Sequence, residues 1–170
     1  MIIDVHTHYR SKAIFDELLK RGQMKIIEDK EGQKHVYDEG MYVFTMPEQY
    51  AEPDLAKRIE YLDQHGIDMQ VLSTPRSSDY SEKDGPDLAR MTNNDLAGVV
   101  KKYPKRFIGL ASVPIRSKDK ALDELDRAIH ELGLKGVCIS GNIGGVPLDA
   151  DYLRPFFLDR YLHPRQVPVH

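Results

Sequence analysis

Two histidines stand one residue apart at the close of an apolar run that begins at the second residue, Ile2-Ile3-Asp4-Val5-His6-Thr7-His8. On a strand, successive side chains point to opposite faces, so His6 and His8 share a face with Asp4 behind them. Two imidazoles aimed at one point furnish two nitrogen donors at the ~2.0 Å reach of zinc. The C-terminal end of a parallel strand is also where open sheets and barrels hold their ligands. A third donor is still required. The plain alternative is a pair of exposed polar residues at a strand end, but Asp-Val-His-Thr-His closing so early a strand is more specific than His-x-His alone.

Other residues compete for a role. Arg76, in Leu72-Ser73-Thr74-Pro75-Arg76, follows a strand on the same rim as the histidines; its planar fork suits a substrate carboxylate, while a solvated loop arginine is the plain reading. Arg10 is a comparable candidate. Ser140-Gly141-Asn142-Ile143-Gly144-Gly145 lacks the spacing of a dinucleotide or P-loop motif, which favours a turn with Asn142 as a site-lining residue. Cys138 lies inside an apolar run and reads as a packed thiol. His65 and His130 fall near helix ends, where each favours the dipole's negative pole. His35 and His163 carry no pattern. No Gly-x-Ser-x-Gly elbow, His-Glu-x-x-His helix or cysteine cluster is present, which removes serine hydrolase, zinc protease and structural zinc readings.

The elements that must position these groups follow from periodicity. Residues 2–7 read as a strand. Ser11 is placed to cap a helix over Lys12–Arg21 that Gly22 stops. The runs flanking Lys30-Glu31-Gly32 predict an antiparallel hairpin inserted at about residues 23–50. From Pro53 onward helices alternate with apolar strands. A helix through Leu55, Ile59 and Leu62 ends at Gly66, and the strand Ile67–Thr74 follows. A long helix over about 87–103 leads to the strand Arg106–Pro114. A helix beginning at Ser117 leads to the strand Leu134–Ser140. A last helix is capped by Asp149, and the chain reaches Gln166-Val167-Pro168-Val169-His170. This alternation predicts an α/β fold with a parallel sheet in one domain spanning residues 1–170.

With 24 basic and 27 acidic residues interspersed along the chain, no electrostatic footprint for nucleic acid or a membrane surface stands out, which leaves small molecules or protein as partners. A single cysteine accords with a reducing compartment. No apolar run reaches the roughly 18 residues of a membrane helix, and no leader pattern opens the chain. The expectation is a cytoplasmic protein.

Ile3-Asp4-Val5-His6-Thr7-His8 resembles the first-strand metal motif of the amidohydrolase superfamily. The runs 58–75, 93–114 and 131–157 resemble its branch containing aminocarboxymuconate semialdehyde decarboxylase, whereas residues 9–50 match poorly. The resemblance implies a TIM-type (β/α)8 barrel holding a divalent metal, most often zinc, at the C-terminal ends of its strands. It also implies that His170, closing the fifth strand, joins His6 and His8 as a ligand. The family's catalytic histidine and metal-binding aspartate would fall past residue 170. Because such barrels need roughly 250 residues, the expectation is a barrel truncated after about its fifth strand. The implied activity is metal-dependent hydrolysis, or non-oxidative decarboxylation of a small unsaturated or aromatic carboxylic acid, weakened in the chain by itself. The rival is a non-catalytic half-barrel that associates with itself through open sheet edges, giving a homo-oligomer in either case.

Overall fold

The structure is a computed structural model that describes residues 1–9, 11–38, 40–46, 55–74 and 80–154. Its contacts divide the chain into two compact units, residues 1–72 with 98–108 and residues 73–97 with 109–170.

The first unit carries a sheet in the order β1-β5-β6, formed by β1 (Ile3–His8), β5 (Met69–Ser73) and β6 (Phe107–Gly109). These strands run parallel, each separated from the next by at least one helix, as a mixed α/β fold requires. Helix α1 (Lys12–Lys20) starts where expected: the Ser11 hydroxyl accepts the Ile14 N–H at 3.4 Å, and Gly22 leaves the helix at φ 71°. Ile14, Phe15 and Leu18 form its buried face. Helix α2 (Leu55–Gln64) buries Leu62 and ends before Gly66, at φ 65°.

The inserted region holds one more strand than the predicted hairpin. Strands β2 (Met24–Glu28), β3 (Lys34–Asp38) and β4 (Met41–Thr45) form an antiparallel meander. Gly40, at φ 83°, turns the chain into β4, and the register shifts between Val36 and Tyr37. Val36 is completely buried.

In the second unit, α3 (Gly85–Lys102) contributes its first part, with Pro86 in the opening turn. Helix α4 (Asp119–His130) packs Ala121 and Leu125 into a core with Val113, Ile115, Ile143 and Leu153. Gly109 is needed for close packing: a Cβ there would stand 2.7 Å from Leu134 Cδ2 and 3.1 Å from Leu96 Cγ.

Several local expectations are corrected. Ser117 does not cap α4, because its hydroxyl donates to the Glu82 carbonyl at 2.8 Å; the cap position is Lys118, at φ 43°. The predicted strand 134–140 narrows to a parallel bridge between Ala111 and Val137, with Ala111 N–H donating to Gly136 O and Cys138 N–H to Ala111 O. Cys138 is half-buried rather than sealed in a core. The glycine-rich turn is a small hairpin, β7 (Asn142–Ile143) and β8 (Val146–Pro147), whose central Gly144 and Gly145 both have positive φ, 59° and 84°. That conformation is the one a two-residue hairpin favours. Asp149 gives way to a 3-10 turn over Asp151–Leu153, which begins at Ala150 without a side-chain cap. Among the described residues no helix is long and apolar enough to cross a membrane.

Candidate metal centre

Strand β1 delivers the alternation its sequence implies. His6 and His8 are both exposed, with ring centroids 5.3 Å apart and planes at 77°. An ion about 2.0–2.1 Å from one nitrogen of each of two imidazoles sits about 3.2 Å from each centroid, so a tetrahedral angle separates the centroids by about 5.2 Å. The observed centroid spacing is close to that value.

Four side-chain hydrogen bonds hold the strand that carries them. Below the pair, Gln70 Nε2 on β5 donates to Asp4 Oδ2 at 3.1 Å, and the His6 N–H reaches Asp4 Oδ1 at 3.3 Å. Thr7 Oγ1 donates to the Val71 carbonyl at 2.9 Å. At the strand's end, Arg58 Nη2 on α2 donates to the His8 carbonyl at 2.8 Å. Gln70 is 6% exposed, and among the described residues its Oε1 has no partner; donation to a carboxylate fixes the amide so that this oxygen faces away from Asp4.

Gln70 and Arg58 were not among the sequence candidates. A glutamine inside the apolar run Ile67–Thr74 was one available signal. An arginine one residue before Ile59 of the α2 apolar stripe was the other.

Among the described residues, no group of three or more His, Cys, Asp or Glu side chains is arranged to hold a metal. The remaining expected ligand, His170, and the candidate carboxylate clamps Arg76 and Arg10 lie outside the described residues, as does His163. Asn142 is exposed, and its Oδ1 accepts the Gly145 N–H at 3.0 Å, a role internal to the β7–β8 turn. His65 Nδ1 lies 2.8 Å from the Tyr61 carbonyl, with its ring stacked on Tyr61 at 4.0 Å. His130 Nδ1 lies 3.1 Å from the Asp126 carbonyl. Both histidines thus serve the last turns of their helices.

A parallel α/β sheet with an Asp-x-His-x-His first strand has its counterpart among known families. Residues 3–170 match the family model described as Amidohydrolase, and the chain belongs to that family. It is 44% identical over 109 residues to 2-amino-3-carboxymuconate-6-semialdehyde decarboxylase of Dictyostelium discoideum, a match covering 62% of this chain and 30% of the relative. It is 34% identical over 125 residues to gamma-resorcylate decarboxylase of Polaromonas sp., covering 64% of this chain and 38% of the relative. The chain thus spans about a third of the length of these curated relatives, 30% and 38%. Among solved structures, 5-carboxyvanillate decarboxylase of Novosphingobium aromaticivorans, with bound manganese and 3-methoxy-4-hydroxy-5-nitrobenzoic acid, is 26% identical. It superposes with a TM-score of 0.68 over 92% of this chain and 47% of that one.

Proposed function

We propose that this chain supplies the first part of an amidohydrolase-type (β/α)8 barrel whose metal centre removes carbon dioxide non-oxidatively from a small aromatic or unsaturated carboxylic acid. The observation that carries this reading is the 5.3 Å spacing of the His6 and His8 rings on one face of β1. Support for the reaction comes from relatives that are decarboxylases, and support for a divalent ion from a similar structure that holds manganese. Zinc is the ion proposed here, because two imidazoles at a tetrahedral spacing suit it. His170 is the proposed third ligand, and residues 1–170 are proposed to form a single partial-barrel domain with an insertion at about 23–50.

A bound divalent cation polarises a substrate oxygen or lowers the pKa of water. The chain's own residues do the rest of the positioning. His6 and His8 supply nitrogen donors, Asp4 and Gln70 set the strand beneath them, and Arg58 fixes the strand's end. Arg76 is proposed as the clamp on the substrate carboxylate. A cytoplasmic location belongs to the same reading.

The test is metal analysis of the purified chain beside its His6→Ala and His8→Ala variants, followed by carbon dioxide release from 2,6-dihydroxybenzoate after loading with zinc or manganese. Stoichiometric metal lost in both variants supports the centre. Metal retained in both variants overturns it, and a metal-loaded chain that releases no carbon dioxide above a metal-only blank overturns the decarboxylase assignment.

A second reading rests on a different observation. Among the described residues strand β1 ends its sheet, and Val5 on it is 72% exposed, which favours a module that associates with itself along that edge. Light scattering at micromolar protein that gives a clean monomer would remove it.

A further inference from the structure

The inserted meander contains a chain of polar groups that the metal centre does not use. Asp29, in the β2–β3 turn, accepts the main-chain N–H of Glu31 at 2.9 Å and of Gln33 at 2.8 Å on Oδ1. Its Oδ2 lies 2.8 Å from His35 Nε2. Across the sheet, His35 Nδ1 lies 2.9 Å from Thr45 Oγ1, and Thr45 Oγ1 lies 3.0 Å from the Tyr42 hydroxyl. His35 and Thr45 are directly paired residues of β3 and β4, so the sheet register itself sets this contact.

The direction of each bond follows from what each atom can do. A carboxylate with two N–H donors on one oxygen is the ionised form, and it can only accept, so His35 Nε2 carries the hydrogen. In the neutral ring Nδ1 is then bare and accepts from the Thr45 hydroxyl. The freed lone pair of Thr45 Oγ1 takes the Tyr42 O–H. A hydroxyl donating to an imidazole whose other nitrogen is oriented by a carboxylate is the arrangement that activates a nucleophile, recognised by geometry and role rather than by sequence position.

We propose that Asp29, His35 and Thr45 form a hydroxyl-activating triad on the meander that accepts an acyl group from an activated carboxylic ester. In the step, Thr45 Oγ bonds to the ester carbonyl carbon while its proton passes to His35 Nδ1. The carbon–oxygen bond to the leaving aryloxide then breaks, and the imidazolium proton passes to that aryloxide. Water reverses the sequence: its oxygen bonds to the acyl carbon, His35 takes a proton, and the bond to Oγ breaks as Oγ regains a proton. Tyr42, which is exposed, places its hydroxyl 3.0 Å from Thr45 Oγ1. Asp29 is held below the usual aspartate range chiefly by its bond to His35, with the Gln33 and Glu31 amides adding to it, which keeps the carboxylate ionised at neutral pH.

The full chain is incubated with p-nitrophenyl acetate, with nitrophenolate release followed and the protein then mapped by mass spectrometry. An acetyl group on the peptide bearing Thr45 is expected. It falls about a hundredfold in His35→Gln and is lost in Thr45→Val, while Thr45→Ser restores what Thr45→Val removes. The groups facing the His35 ring are Asp29 from the turn, Tyr42 and Thr45 from β4, and Ile27 from β2, with Tyr37 and Lys25 further along the same face. Acetyl groups spread over lysines and the Met1 amine, equal in all variants, overturn the proposal. So does a Thr45 adduct that His35→Gln leaves undiminished. Far-UV circular dichroism accompanies each variant; if Thr45→Val does not fold, the His35→Gln comparison decides alone.

Discussion

The carboxamide of Asn93 pairs with both main-chain groups of Ser112: its Nδ2 donates to the Ser112 carbonyl at 2.8 Å, and the Ser112 N–H donates to its Oδ1 at 2.7 Å. Asn93 is completely buried and so takes the place of a neighbouring strand for that residue. The same Nδ2 lies 2.7 Å from Glu124 Oε1, and Arg127 closes the network on both Glu124 oxygens at 2.6 and 2.8 Å. Asn93→Ala strands a buried N–H, a carbonyl and part of a carboxylate. A loss of about 2–4 kcal/mol is expected, since each unsatisfied buried group costs roughly 1–3 kcal/mol. Urea unfolding with an unchanged m-value checks it.

Gly109 leaves no room for a methyl group, with Leu134 2.7 Å from where its Cβ would stand. Gly109→Ala should destabilise by about 1–3 kcal/mol through overpacking. A compensating Leu134→Ala in the same chain should restore part of that loss, and a double-mutant cycle measures the coupling.

The Asp29 carboxyl is held below its ordinary value, first by His35 and then by the main-chain N–H groups of Gln33 and Glu31. A folded-state value below the unfolded one means that its stabilisation is fully present above about pH 4 and is lost as pH falls through the folded-state value. Asp29→Asn should therefore lower the urea midpoint at neutral pH, and the gap from the parent chain should narrow on acidification. A gap independent of pH would contradict the assignment.

Arg58 acts on the histidine pair through the backbone, donating to the His8 carbonyl. Under the metal reading, Arg58→Leu should weaken zinc binding by about tenfold, the lower end of what supporting residues around a metal contribute. Competition against a chelating dye measures this, with circular dichroism showing that the helix persists.

Local chemistry carried most of what the sequence foretold. Ser11 and Gly22 bracket α1 because capping and a left-handed exit depend on neighbours within one turn, and His6 and His8 share a face because strand alternation is intrinsic. Strand β4 was missed although Met41–Thr45 is rich in aromatic and branched residues; only the Gly40 turn and the register shift reveal that it adds to the sheet. Ser117 misled because its hydroxyl found a partner 35 residues away instead of its own helix. Distance along the chain also hid the supports of the candidate site. Gln70 meets Asp4 across 66 positions and Arg58 meets His8 across 50, separations that no periodicity encodes.

The outward, closely spaced rings of His6 and His8 bear on how the protein is handled at the bench. A surface pair of imidazoles on a rigid strand is a natural chelator for nickel or copper on a resin. The untagged chain should cling to such a column and elute with imidazole, so affinity tags and trace nickel carried over from purification would both compete for the residues of greatest interest.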